Sequence, residues 1–173
     1  MRHKHMVTVI LSALAFVAFL AIVTLGGEEK GAKDNAHRDH IMIGGADISW
    51  SEGPISLPAG AKYSIMEGDP SQPGLFTMRI TVPANYKVPA HWHPADEHVT
   101  VIAGSFSMGL GEKFDQSALK ELKVGGFAVM PTGVRHFAWS KDGATIQLHG
   151  MGPWGINYVN SDDDPRLAKK STK

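Results

Sequence analysis

The chain has 173 residues, of which 43% are hydrophobic and 20% charged, enough apolar material for one packed domain. Lys plus Arg equals Asp plus Glu at 17 each and no basic stripe stands out, which argues against nucleic acid as a partner. With no cysteine there are no disulfides, thiolate metal sites or cysteine nucleophiles, so any metal must be held by nitrogen and oxygen.

Residues 1–26 read as an export signal. Arg2 and Lys4 form a positive start, and an apolar run without charge follows from Val7 to Leu25. As a helix this run would reach ~28 Å, close to the thickness of a bilayer core, so an uncleaved N-terminal membrane anchor competes with a cleaved signal peptide. The charge bias across the segment sends the body over the membrane, to the periplasm or another extracytoplasmic space. Contact with the membrane is expected only through this segment. Residues 27–45 are polar, charged and aperiodic, and read as a linker; His37 and His40 within it read as tether residues.

The body, 46–160, is a series of short extended segments broken by Gly, Pro and Asp. Strands are expected at 63–66, 75–82, Phe127–Met130, 134–140, 145–149 and 156–159, with 105–110 as a hairpin partner of the stretch before it. One helix is expected at 115–122, where Ala118, Leu119 and Leu122 share a side. Such spacing points to an all-β sandwich or barrel. Residues 161–173, with Asp162-Asp163-Asp164-Pro165 and then basic residues, read as a flexible tail.

The densest chemistry lies in His91-Trp92-His93-Pro94-Ala95-Asp96-Glu97 and continues to Gly104. Pro94 pushes His93 toward extended geometry, so the rings of His91 and His93 share a face and Trp92 points the other way. Glu97 can return to that face after the bend, with Val99, Val101 and Ala103 following at period two, and Gly104 is expected to end the run at a turn. A zinc-peptidase helix is rejected, because His93 and His98 are five residues apart with Pro94 between them. Later, Pro131-Thr132-Gly133 makes a sharp reversal that delivers His136 to the start of a strand, where it can face His91 and His93.

The two stretches together resemble the two cupin motifs. The first matches through His91, His93, Glu97 and Gly104, and the second through Gly125, Pro131, Gly133 and His136. Ser140 stands where the family often has asparagine, a position that is not a metal ligand in the family. The resemblance implies a cupin double-stranded β-helix, or jelly-roll barrel, preceded here by the hydrophobic export helix. It implies His91, His93 and His136 as nitrogen ligands and Glu97 as the oxygen ligand of one divalent transition metal: iron, manganese, nickel, copper or zinc. It also implies a homodimer. His98 should face away from the site. Gln147 or His149 is expected to approach the metal pocket as a supporting hydrogen-bond partner. Trp92, Phe137 and Trp139 are expected in packing roles, and Met108, Met130 and Met151 as core filler.

Such a ligand set leaves vacant coordination positions, so a dioxygenase-like oxidoreductase acting on a small organic molecule is the expected function. The alternative is a non-catalytic metal-binding or sensing module of the cell envelope. A sugar isomerase or epimerase ranks last, because Arg79 and Lys87 are the only obvious extra pocket charges.

Overall fold

The computed structural model describes residues 40–167. The expected export segment and His37 lie outside the described residues, and His40 is exposed. The described residues form eight strands: β1 (Ser51–Glu52), β2 (Lys62–Glu67), β3 (Gly74–Trp92), β4 (Glu97–Leu110), β5 (Lys120–Lys123), β6 (Phe127–Met130), β7 (His136–Gly152) and β8 (Asn157–Tyr158). They contain no α-helix, only short 3-10 turns at Gly45–Asp47, Gln116–Ala118 and Ser161–Asp163. All pairings are antiparallel, in the order β1-β2-β3-β7-β4-β5, with β6 also on β4 and β8 also on β3. The expected all-β architecture is observed.

Three long, bent strands carry the fold, where shorter ones were expected. The 75–82 segment runs on through Trp92, and 134–140 and 145–149 are one strand, β7. Asn85 at φ 56° and Gly143 at φ +93° lie beside the pairing of Ala84 with Asp142, where β3 and β7 bend together without a loop. Gly104 does not end its run. It sits in β4 at φ +69°, between two register shifts, and a Cβ there would run into the Gly143 carbonyl oxygen. Close approach of two backbones, rather than a reversal, is what demands glycine. Accordingly 105–110 is no hairpin partner but the second half of β4, which pairs with β6 before the bend and with β5 after it.

The expected helix at 115–122 is a 3-10 turn followed by strand β5. Asp115 Oδ1 accepts from the Ser117 backbone N–H at 2.9 Å and from its hydroxyl at 2.7 Å, satisfying that backbone locally. Pairing of Lys120–Lys123 with β4 then outweighs helical spacing.

The inward faces supply an apolar core: Phe76, Met78, Ile80, Val82 and Val88 from β3, Val99 and Phe106 from β4, and Ile146 and Leu148 from β7. Each such side chain contributes roughly 1.5–3 kcal/mol on full burial. Met108 and Met130 are buried as expected, but Met151 is 58% exposed near the end of β7. As far as Leu167 the expected tail is tied to the body. Arg166 pairs with Asp164 at 2.7 Å and donates to the Ile156 carbonyl at 3.2 Å.

Candidate metal centre

His91 stands near the end of β3, just past a register shift against β7 between Val88 and His91. That irregularity reverses the inward parity of the strand. Even positions from Phe76 to Ala90 are buried, apart from Ala84 at the bend, yet His91 lines the central cavity. His93 follows on the short connection, Glu97 opens β4, and His136 opens β7 opposite His91. All four are buried, from 5% exposed for Glu97 to 0% for His136.

The two motif stretches are laced to one another. Asp96 Oδ1 accepts from the Thr132 backbone N–H at 2.7 Å and from its hydroxyl at 2.8 Å, and the Gly133 N–H donates to the His93 carbonyl at 2.9 Å. These same bonds hold the Asp96 carboxyl below its usual pKa range. The reversal at Pro131–Gly133 thus docks on the chain between His93 and Glu97 and sets where His136 enters.

Each imidazole is fixed through its Nδ1. Those of His91, His93 and His136 meet the carbonyls of Pro89, Gly155 and Val134 at 2.7, 2.7 and 2.9 Å. A carbonyl can only accept, so Nδ1 carries the proton and a neutral ring turns its Nε2 lone pair inward. The ring centroids lie 4.2–5.1 Å apart. Glu97 Oε1 is 3.4 Å from His93 Nε2, and its Oε2 is 3.3 Å from His136 Nε2. Both of those nitrogens, and Oε2, are buried without a hydrogen-bond partner.

Acceptors gathered this closely call for a positive species between them. The ligating atoms of His91, His93 and His136 lie within 4.8 Å of one another. Atoms held ~2.1 Å from one octahedral ion stand ~3.0 Å apart when adjacent and ~4.2 Å when opposite, so the spacing fits a bound metal. The buried triad can hold a metal ion, and the Glu97 carboxylate lies 3.4 and 3.3 Å from the Nε2 atoms of His93 and His136. Electrostatics agree. Burial, then the neighbouring imidazoles of His136 and His93, lowers the His91 pKa to about 3, leaving it a neutral donor. Burial pushes the Glu97 carboxyl up, but its close neighbours His93 and His136 outweigh that and hold it well below the usual carboxylate range.

The centre opens on a cavity of about 280 Å³ lined by inward side chains of the long strands and by Trp154. Two tyrosine hydroxyls nearby are engaged: Tyr86 donates to the Pro58 carbonyl at 2.6 Å and Tyr158 to the Ser56 carbonyl at 2.8 Å. Burial pushes the Tyr86 pKa up to about 12, and burial and then Tyr86 raise that of Tyr158, so neither is an acid near neutral pH.

Gln147 and His149 are not brought to this cavity. Inward positions of β7 are even, running through His136, Ala138, Ile146 and Leu148, so both point outward. Gln147 accepts from Arg79 Nε at 3.1 Å, and His149 stacks on His98 at 5.0 Å on the outer face, where His98 was expected. The extra residue at the Val88–His91 shift lies on β3, so β7 keeps its own alternation, and parity from His136 already carries this answer. Arg79 and Lys87 also lie outside, Lys87 over the Phe114 ring at 4.8 Å. Phe137 is fully buried and packs against Phe114, and Trp139 donates to Asn85 Oδ1 at 3.3 Å. Ser140 is buried, its hydroxyl donating to the Ser105 carbonyl at 2.8 Å beside the β4 bend.

Sequence reasoning missed Trp154 and Gly155. The indole stacks on His93 at 4.4 Å, and the next carbonyl holds the His93 Nδ1. No spacing rule marks this pair, since their place depends on a long-range docking of Trp154 N–H on the Pro70 carbonyl.

Solved structures share this fold. The polyketide cyclase RemF from Streptomyces resistomycificus superposes with a TM-score of 0.61, at 16% identity over 73% of this chain and 89% of that one. A protein assigned as an acetylacetone dioxygenase from Methylibium petroleiphilum superposes at 0.56, with 16% identity over 73% and 85%. An RmlC-like cupin from Shewanella frigidimarina superposes at 0.50, with 17% identity over 65% and 89%. The fold is that of the cupins. At these identities the likeness concerns the fold, in which His91 and His136, 45 residues apart in sequence, meet on paired strands. No protein-family model matches the chain, and no curated protein matches it.

Proposed function

We propose that this cupin is an exported, metal-dependent oxidoreductase, dioxygenase-like, acting on a small organic molecule. The observation that carries the reading is the convergence of three buried imidazoles and the Glu97 carboxylate at the wall of a cavity sized for such a molecule. His91, His93 and His136 would supply nitrogen and Glu97 oxygen to one ion of iron, manganese, nickel, copper or zinc. When bound, such an ion supplies Lewis acidity and, for the redox-active metals, electron transfer, with positions left for an outside ligand.

The chain's own residues do the rest. Carbonyls of Pro89, Gly155 and Val134 hold the three rings in one tautomer. The apolar walls exclude water, which strengthens every charge interaction at the centre. Glu97 Oε2, with no hydrogen-bond partner among the described residues, is the atom placed to take a proton from a bound molecule. The neighbour assigned as a dioxygenase supports the reaction class without fixing the substrate.

Elemental analysis of protein from its native compartment, followed by oxygen consumption with β-diketone, catechol, flavonol and oxalate substrates, tests the reading. Tightly held zinc in a closed site with no turnover would replace it with the non-catalytic sensing module. We further propose a homodimer, tested by light scattering, and export, tested by fractionation of cells expressing the full chain.

A further inference from the structure

Among the described residues, Glu97 is the one Asp, Glu, Lys or Arg side chain that lines the cavity, and it faces His93 and His136. The remaining wall is mostly hydrocarbon, thioether and aromatic, with Met78, Ile80, Val88, Phe106, Met108 and Leu148 prominent. A charged group placed away from the histidines would lose its hydration there and meet no counter-charge.

Trp154 breaks the apolar pattern. It lines the cavity with its ring stacked on His93, 21° from parallel, and tilted against Phe76 at 5.7 Å. Its Nε1 is buried and has no hydrogen-bond partner. Buried indole N–H groups normally find an acceptor, and no described residue supplies one. Packing between His93 and Phe76 holds the ring in place, and the backbone on either side of it is fixed. The Trp154 backbone N–H is held by the Pro70 carbonyl at 2.6 Å, and the adjoining Gly155 carbonyl is held by His93.

We infer that the cavity takes an uncharged, largely hydrocarbon molecule carrying an oxygen acceptor, and that the Trp154 indole N–H meets that oxygen beside His93. About nine waters' worth of volume, at ~30 Å³ each, leaves room for one substituted ring. This deepens the proposed function and rests on it only for what faces the oxygen from the other side. It can therefore be tested without metal.

Calorimetric titration of the chelator-treated full chain uses three probes of one shape: 4-methylacetophenone, 4-ethyltoluene and 4-acetylbenzoate. The ketone is expected to bind at least ~10-fold tighter than the carboxylate, which must leave a charge in the cavity. Trp154→Phe keeps a stacking ring and removes the N–H. It is expected to weaken the ketone about 5–10-fold and the hydrocarbon less than ~2-fold. Repeating the ketone and hydrocarbon titrations on the zinc-loaded chain covers a metal-free form that fails to fold, and the same split is expected there. Equal binding of ketone and carboxylate overturns the uncharged class. Equal loss of ketone and hydrocarbon on Trp154→Phe, or no loss of either, overturns the donor role, and no binding by any probe overturns both. Absence of metal in the native protein, with the probe pattern intact, would instead count against the proposed function alone.

Discussion

Replacement of Glu97 by glutamine separates a ligand from a structural acid. The amide keeps the volume and one acceptor oxygen but removes a charge that is 5% exposed among three imidazoles. In the metal-free protein it also brings an N–H₂ donor to the lone pairs of His93 and His136, which otherwise face a carboxylate at 3.4 and 3.3 Å. Metal-free Glu97→Gln should therefore melt at or above the wild-type temperature. With metal the sign reverses. Breaking a buried charge pair costs ~3–5 kcal/mol, or about 10²–10⁴-fold in Kd. At a metal concentration 1,000 times the wild-type Kd, linkage adds ~4.1 kcal/mol to wild-type stability. The variant at the same concentration gains only ~0.1–1.4 kcal/mol. For a body of this size each kcal/mol moves Tm by about 3–5 °C, so the metal-induced shift should fall from ~12–20 °C to below ~7 °C. Paired melting curves with and without metal measure it. A variant that keeps the full metal-induced shift would show that Glu97 is no ligand and that its burial serves packing alone.

Gly104→Ala should cost about 1–3 kcal/mol in urea unfolding, because φ +69° disfavours a Cβ and the new methyl meets the Gly143 carbonyl. A wild-type midpoint would refute the close approach of β4 and β7. Thr132→Val removes the hydroxyl donor to Asp96 while leaving the backbone bond, and should speed metal loss to a chelator several-fold with far-ultraviolet circular dichroism unchanged. Unchanged release would mean the lacing of the two motif stretches does not hold His136 in place. Gln147→Ala and His149→Ala should each leave metal affinity within ~2-fold, since both side chains point outward from β7; a tenfold loss in either would contradict that facing.

The convergence of His91, His93, Glu97 and His136 was legible because most of it is local. Pro94 after His93, Glu97 four residues on, and a Pro-x-Gly reversal before His136 are each a short-range constraint, and the barrel only has to bring the two stretches together. What escaped the sequence is long-range. Helical spacing at 115–122 lost to pairing with β4, a contact that no window of ten residues contains. Gly104 signalled an unusual backbone correctly, yet the sequence could not distinguish a turn from two strands pressed together. Trp154 reached His93 only through docking of its backbone on Pro70.

Strand parity shows why the site itself sits on irregularities. On β3 the core-facing residues are even up to Ala90, and on β4 they are odd at Glu97, Val99 and Val101 but even at Phe106 and Met108. A regular β3 would have turned His91 and His93 to the outside, where Trp92 now lies half-buried. The shift at Val88–His91 puts both histidines on the cavity side without disturbing the apolar run behind them. The shifts around Gly104 let one strand give Glu97 to the centre at its start and Phe106 and Met108 to the cavity wall after its bend. One extended chain thus contributes both the polar centre and the apolar chamber, because irregularities change which face of it is inside. Repairing them with a one-residue deletion between Val88 and His91 should therefore abolish metal binding while leaving Phe76, Ile80 and Val82 packed in the core.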